Sequence, residues 1–120
     1  MAKQIQIQCP TEIAAIIIDA LHWFVARHYP YGADECSIAA REALLNMAEC
    51  FQQELISDGQ STYSSRIRAF LCEAVNTYML MLEQESGQSH EHRRVLIIEV
   101  CRGLSDGSGY AVATRTDQQM

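Results

Sequence analysis

The residues from Thr11 to about Tyr29 place apolar side chains on almost every face of a predicted helix. Only a thin polar strip, made of Glu12, Asp19 and His22, interrupts them. In a globular protein, a helix that is apolar nearly all round is buried by its neighbours. We therefore predict that this helix is central and that other elements surround it. Its predicted core residues are Ile13, Ile17, Ala20, Leu21 and Phe24, joined by Ile16 and Trp23.

Two further segments have the three- and four-residue apolar spacing of amphipathic helices. The first follows Asp34, a favourable N-cap, and is predicted to end near Ser57, because the next residues include Gly59, a typical left-handed terminator. The second is predicted from Ser61 to Glu85. The chain therefore contains three predicted long helices.

The two ends of the chain have the pattern of strands. Residues 3–9 alternate polar and apolar side chains, and residues 95–101 are rich in β-branched residues. A glycine-rich turn then precedes residues 110–114, which completes a predicted hairpin. The predicted fold class is α+β, with three long helices packed on a small antiparallel sheet made of the N-terminal strand and the C-terminal hairpin. The alternative is a mainly α fold with four helices, in which residues 90–104 form the fourth.

Length and cysteine spacing indicate the general class of protein. A chain of 120 residues has the size of one domain, residues 1–120. Its five cysteines are widely spaced, which is typical of reduced thiols in a cytoplasmic protein. The first residues lack the pattern of a secretory signal, and the longest apolar run, Ile13–Ile18, is too short to cross a bilayer. We expect a cytoplasmic protein without membrane association.

The charge of the chain is acidic, with 15 Asp and Glu against 9 Lys and Arg. This excess disfavours binding to nucleic-acid phosphates and favours a basic partner. On the second predicted helix, Glu35, Glu42 and Glu49 repeat every seven residues and form one acidic row. Such a row is typical of a solvated helix face, and it can also steer a basic protein.

Aromatic and aliphatic side chains outside the predicted core are candidate anchors for a partner. Tyr29 and Tyr31 lie near the turn after the first helix, close in sequence to Trp23. Leu80 lies outside the apolar seam of the third predicted helix. Exposed anchors of these types commonly carry binding energy at interfaces. Leu80 and a free sheet edge also give a possible route to a homodimer.

The sequence has few residues that suggest catalysis or metal binding. Asp19 and His22 are helix neighbours, and Cys36 lies in a predicted first turn, where a thiolate is favoured. His90 and His92 are too few for a zinc site. No glycine-rich loop carries the Lys-Ser/Thr of a phosphate-binding loop. We therefore predict no catalytic set, no metal and no cofactor, which favours a non-enzymatic protein.

The leading hypothesis is a small acidic protein-binding protein of the inhibitor, immunity or accessory type. It would act by steric and electrostatic complementarity. An alternative is a small-ligand or metal-binding protein, or a small enzyme, that uses Asp19 and His22 or a cysteine. A second alternative is a nucleic-acid-binding regulator with a local basic patch. The predicted partner-binding residues are Glu35, Glu42, Glu49, Tyr29, Tyr31 and Leu80, and the basic patch would consist of Arg66, Arg68, Arg93 and Arg94.

Overall fold

The computed structural model describes residues 3–28 and 34–108. Two strands and four main helices occur in this part of the chain. In order they are β1 (Gln4–Gln8), α1 (Thr11–His28), α2 (Glu35–Cys50), β2 (Gln60–Ser64), α3 (Arg68–Ser86) and α4 (Glu91–Cys101). A π-helical segment (Phe51–Leu55) and a last turn (Ile56–Asp58) extend α2, and a 3-10 turn (Ser65–Ile67) leads into α3.

The α+β class is confirmed, and the four-helix alternative fits the same structure. The composition of the sheet differs from the prediction. β1 pairs with β2 in an antiparallel sheet of two strands. Residues 95–101, predicted as a hairpin strand, belong to α4, and the second predicted strand, residues 110–114, lies outside the described residues.

Burial explains both differences. In α4, Ile97, Val100 and Cys101 are fully buried, so their three- and four-residue spacing decides the structure over the β propensity of single residues. Residues 61–64 were predicted as the start of the third helix, which begins at Arg68 instead. They form a strand because Ser61 and Tyr63 alternate as its buried residues.

The central position of α1 is confirmed. Eight of its residues are buried, and it packs against both α2 and α3. The predicted ends of α2 are also confirmed. Asp34 Oδ1 accepts a hydrogen bond from the Ser37 backbone N–H at 2.9 Å, and Gly59 has a φ of 77°.

The sheet closes one side of the core. Ile5 pairs with Tyr63 and Ile7 with Ser61, which places these side chains on the core side. The Tyr63 hydroxyl donates a hydrogen bond to the carbonyl oxygen of Cys101 and so connects the sheet to the end of α4.

The chain after α4 runs along the outer edge of β1. A Cβ atom at Gly103 would lie 3.1 Å from the carbonyl oxygen of Gln6, and one at Gly107 would lie 2.7 Å from Ile13 Cδ1. These close approaches explain why glycine stands at both positions. None of the described helices combines the length and hydropathy that a membrane span requires.

Candidate protein-binding surface

A groove of about 380 Å³ lies between the C-terminal half of α1 and the outer side of α3, and we call it the α1–α3 groove. It forms because α1 and α3 pack side by side, so that the last two turns of α1 lie over the second half of α3. Its lining residues are Trp23, Arg27, His28, Thr77, Leu80, Met81 and Gln84.

Ring contacts fix the α1 side of this groove. The half-buried Trp23 ring lies 5.7 Å from the Tyr78 ring at a tilt of 57°. The Arg27 guanidinium lies over the Trp23 ring, 5.4 Å from its centroid, and His28 stacks on Phe24 at 4.3 Å. Such contacts hold side chains in place before a partner arrives, and this lowers the entropy cost of binding.

The α3 side of the groove supplies aliphatic surface. The Leu80 side chain is 38% exposed and Met81 is half-buried beside it. Trp and Arg are enriched among interface hot spots, and the exposed Leu beside them adds apolar area that a partner can bury.

The acidic row occupies the outer face of α2. Glu35, Glu42 and Glu49 are all exposed. None of the residues from 35 to 43 is buried, although Leu44 and Met47 further along the same helix belong to the core. The first half of α2 therefore contributes no fully buried side chain to the core. Tyr29 and Tyr31, the other predicted anchors, lie outside the described residues.

An open depression of about 690 Å³ lies along the edge of β1. Its lining is mainly polar and comes from β1 and from the chain after α4, namely Gln6, Gln8, Gly103, Leu104, Ser105 and Asp106. The depression is larger than the α1–α3 groove, but it has no aromatic side chain and no cation on its walls. The groove is therefore the better candidate for protein binding.

The residues of the enzyme alternative do not form a sheltered site. Asp19 and His22 are both exposed on α1. General acid–base catalysis requires the two groups to face a bound substrate, and water-excluding walls strengthen that chemistry. An open helix face does not provide such walls.

The cysteines divide into two groups. All five are free thiols, and Cys36 and Cys50 are exposed. Burial raises the pKa of the Cys9 thiol to about 11, and it also raises the pKa values of Cys72 and Cys101. Cys9, Cys72 and Cys101 therefore carry little of the reactive thiolate at neutral pH. They have the character of small apolar core residues.

Three of the four arginines of the nucleic-acid alternative have surroundings that the structure defines. Arg66 and Arg68 are exposed at the start of α3. Arg94 donates a hydrogen bond to Asn76 Oδ1 at 3.3 Å and forms a salt bridge with Glu83 at 3.5 Å. Because a helix rises 1.5 Å per residue, Asn76 lies about 12 Å along α3 from Arg68. Arg94 is therefore paired with an acid, and its contact on α3 is offset along that helix from Arg66 and Arg68.

The two neighbouring histidines have different surroundings. The backbone N–H of His90 donates to Glu83 Oε1 at 2.8 Å, at the start of α4, whereas His92 is exposed. Across residues 3–28 and 34–108, no three His, Cys, Asp or Glu side chains are grouped closely enough to hold a metal ion.

Sequence reasoning named Leu80 and considered Trp23, but it did not bring them together. The missing step was the pairing of α1 with α3, which depends on long-range contacts. The sequence did contain a local indication of the α1 side of the groove, because Arg27 follows Trp23 by four residues and a cation–π contact is possible at that helix spacing.

Comparison of the chain with models of protein families, with curated proteins and with solved structures finds no match.

Proposed function

We propose that this protein acts in the cytoplasm by binding another protein, as a small acidic inhibitor, immunity or accessory protein. The α1–α3 groove and the exposed face of α2 form the contact surface. The observation that carries this proposal is the groove itself, where Trp23, Arg27 and the exposed Leu80 lie together on a preorganised surface. Trp and Arg are the residue types most enriched among interface hot spots.

The two parts of the surface have different roles in this proposal. The groove supplies most of the affinity, because buried aromatic and aliphatic anchors determine how slowly a complex dissociates. The acidic row of Glu35, Glu42 and Glu49 accelerates association with a basic partner through long-range attraction.

Affinity capture with matched variants tests the proposal. The tagged full chain is expressed in its source cells and the recovered proteins are quantified by mass spectrometry. We expect a stoichiometric partner with the wild type and at least about a tenfold loss with Leu80→Glu, because a carboxylate would have to be desolvated in the groove.

Leu104→Glu is the control for this experiment. Leu104 is 67% exposed and lies outside the α1–α3 groove, so the same substitution there should leave the partner bound. Circular dichroism checks that both variants fold. Recovery of no stoichiometric partner, or equal retention by the two variants, contradicts the proposal.

A further inference from the structure

Four cations lie at one end of the molecule, where β1 and α3 begin and α4 ends. All four are exposed, and we call them the Arg68–Arg102 patch. They are Lys3, Arg66, Arg68 and Arg102. The whole chain has only nine Lys and Arg, so almost half of its positive side chains lie in this place.

A backbone hydrogen bond joins the first two segments of the patch. The Ser65 N–H donates to the carbonyl oxygen of Lys3 at 2.8 Å. Lys3 therefore lies beside the 3-10 turn that contains Arg66 and leads to Arg68.

Two contacts bring the end of α4 to the same place. The Tyr63 hydroxyl donates to the carbonyl oxygen of Cys101, the residue before Arg102. A Cβ atom at Gly103, the residue after Arg102, would lie 3.1 Å from Ile5 Cγ2. Arg102 is therefore held next to the sheet, near the start of β1 and the end of β2.

The thiol of Cys72, one turn after Arg68 on α3, is close to two of the arginines. Burial raises the pKa of this thiol, and the positive charges of Arg102 and Arg68 act in the opposite direction. Because salt screens charges that are far apart, such an effect comes from near neighbours. Arg68 and Arg102 therefore border one small region of the surface, although they come from the start of one helix and the end of another.

The cations of the patch are not paired with acids. Within residues 3–28 and 34–108, none of the four forms a salt bridge. Glu99 precedes Arg102 by three residues and is its nearest acid along α4, but the two are not bonded to each other. The patch therefore has uncompensated positive charge on a protein whose net charge is −6.

We propose that the Arg68–Arg102 patch binds the phosphate group of a small phosphorylated molecule. Arg68 and Arg102 donate hydrogen bonds to the phosphate oxygens, because the guanidinium fork matches their geometry. Lys3 and Arg66 add positive charge beside them. The inference goes beyond the proposed function, and neither depends on the other.

The number of cations favours a phosphate group over a carboxylate. A phosphate monoester has three acceptor oxygens and a charge of about −1.5 to −2, so it can engage several of the four cations at once. A carboxylate has two oxygens and one charge. The positive end of the α3 dipole lies at the same place and adds to the attraction.

The charge of the remaining surface favours a compact ligand. At physiological salt the screening length is about 8 Å, so a small anion at the patch interacts mainly with the patch. A nucleic-acid duplex or an anionic membrane extends much further and would also meet the acidic surface of the protein, which repels it.

The test titrates the full chain with inorganic phosphate and with inorganic pyrophosphate. Acetate is the carboxylate control, and sodium chloride keeps the ionic strength constant in every titration. Binding is measured by amide chemical shifts in ¹⁵N-labelled protein, which also map the contact surface. Circular dichroism checks that each variant folds.

We expect both phosphates to cause saturable shifts in residues 65–69 and 100–103, with pyrophosphate the tighter ligand and acetate without effect. Arg68→Gln and Arg102→Gln should each weaken pyrophosphate binding at least about fivefold, since each removes charge-assisted hydrogen bonds. Arg27→Gln, at an exposed arginine of α1 outside the patch, makes the same change in net charge and should weaken it less than about twofold.

Absence of saturable binding, or equal weakening by Arg27→Gln and Arg68→Gln, would overturn the inference. A fluorescent DNA duplex and phosphatidylserine vesicles are tested at physiological salt as extended anions. If either binds through Arg68 and Arg102 more tightly than pyrophosphate does, the assignment to a small ligand is wrong. The titrations need no partner protein, so their failure leaves the proposed function standing.

Discussion

Gly107 shows how a single residue without a side chain fixes the packing of the chain after α4. It is buried and has a φ of 77°, and a Cβ atom there would lie 2.7 Å from Ile13 Cδ1 and 2.9 Å from Pro10 Cδ. The start of α1 and the chain after α4 therefore meet without space for a methyl group.

We predict that Gly107→Ala lowers the free energy of unfolding by about 2–4 kcal/mol, because left-handed strain adds to overpacking. Gly87→Ala is the matched control, since Gly87 has a φ of 71° and no atom within 4 Å of a Cβ position. There we expect only the backbone cost of roughly 1 kcal/mol. Urea unfolding followed by circular dichroism measures both, and equal losses would show that the contact with Ile13 is unimportant.

Buried thiols should make the protein sensitive to alkaline pH. Burial raises the pKa of Cys9 from 9.0 to about 11, so above pH 9 the unfolded chain loses a proton that the folded chain keeps. The stability that this thiol contributes is complete below pH 9 and is lost as the pH rises towards 11. Burial also raises the pKa values of Cys101 and Tyr63, which act in the same direction.

We therefore expect the free energy of unfolding to fall by on the order of 2 kcal/mol between pH 9 and 11. Urea unfolding in the presence of reductant measures this dependence. Cys9→Ala should make the dependence shallower, whereas Cys36→Ser, at an exposed thiol, should not change it. Identical slopes for the two variants would contradict the assignment to Cys9.

At the scale of elements, α2 has two halves with different support. Its second half belongs to the core through Leu44, Met47 and Ala48, whereas its first half has no buried side chain and begins at the Asp34 cap. The hydrogen bond from the Ser37 backbone N–H lowers the pKa of Asp34. The cap is therefore present above that pKa and is lost as the pH falls through it.

We predict that Asp34→Ala increases hydrogen exchange in the first turns of α2, because an N-cap contributes about 1 kcal/mol to its helix. Global stability in urea should change by less than about 0.5 kcal/mol, since no side chain in this half is buried. Asp106→Ala, which removes a similar bond to the Ser108 N–H, is the control and should leave α2 exchange unchanged. A global loss as large as the full cap contribution would mean that the first half of α2 is coupled to the core.

Other elements show how far local pattern decides structure. The helical spacing of apolar residues predicted α1, α2 and α3, and all three are confirmed, although α3 begins at Arg68 and not at Ser61. The alternation in residues 3–9 predicted β1, also confirmed as Gln4–Gln8. The prediction failed where two patterns competed. Residues 95–101, rich in β-branched side chains, form a helix, and residues 61–64, predicted as the start of the third helix, lie in the strand that pairs with β1.

At the scale of the molecule, the distribution of charge determines how the protein meets a partner. The net charge is −6, and the three acids of the row on α2 are all exposed. The electrostatic field of these charges changes the rate at which the protein associates with a charged partner more than it changes the lifetime of the complex.

We predict that the double reversal Glu42→Lys with Glu49→Lys slows association with the captured partner about tenfold at low salt and leaves the dissociation rate nearly unchanged. Thermal unfolding should be unaffected, because both side chains are exposed. Surface plasmon resonance measures the rates at two salt concentrations. If Glu73→Lys with Glu99→Lys slows association equally, net charge alone is responsible and the acidic row has no special role.

Sequence alone determined which segments must be buried and which must be solvated, because apolar spacing, caps and terminators act over a few residues. It therefore predicted α1, α2, β1 and the acidic row with Glu35, Glu42 and Glu49. Tertiary structure decided the partner of β1, the helical state of residues 95–101 and the meeting of Trp23 with Leu80. Each of these depends on contacts between residues far apart in the chain. The energies of such contacts cannot be predicted from the pattern of neighbouring residues.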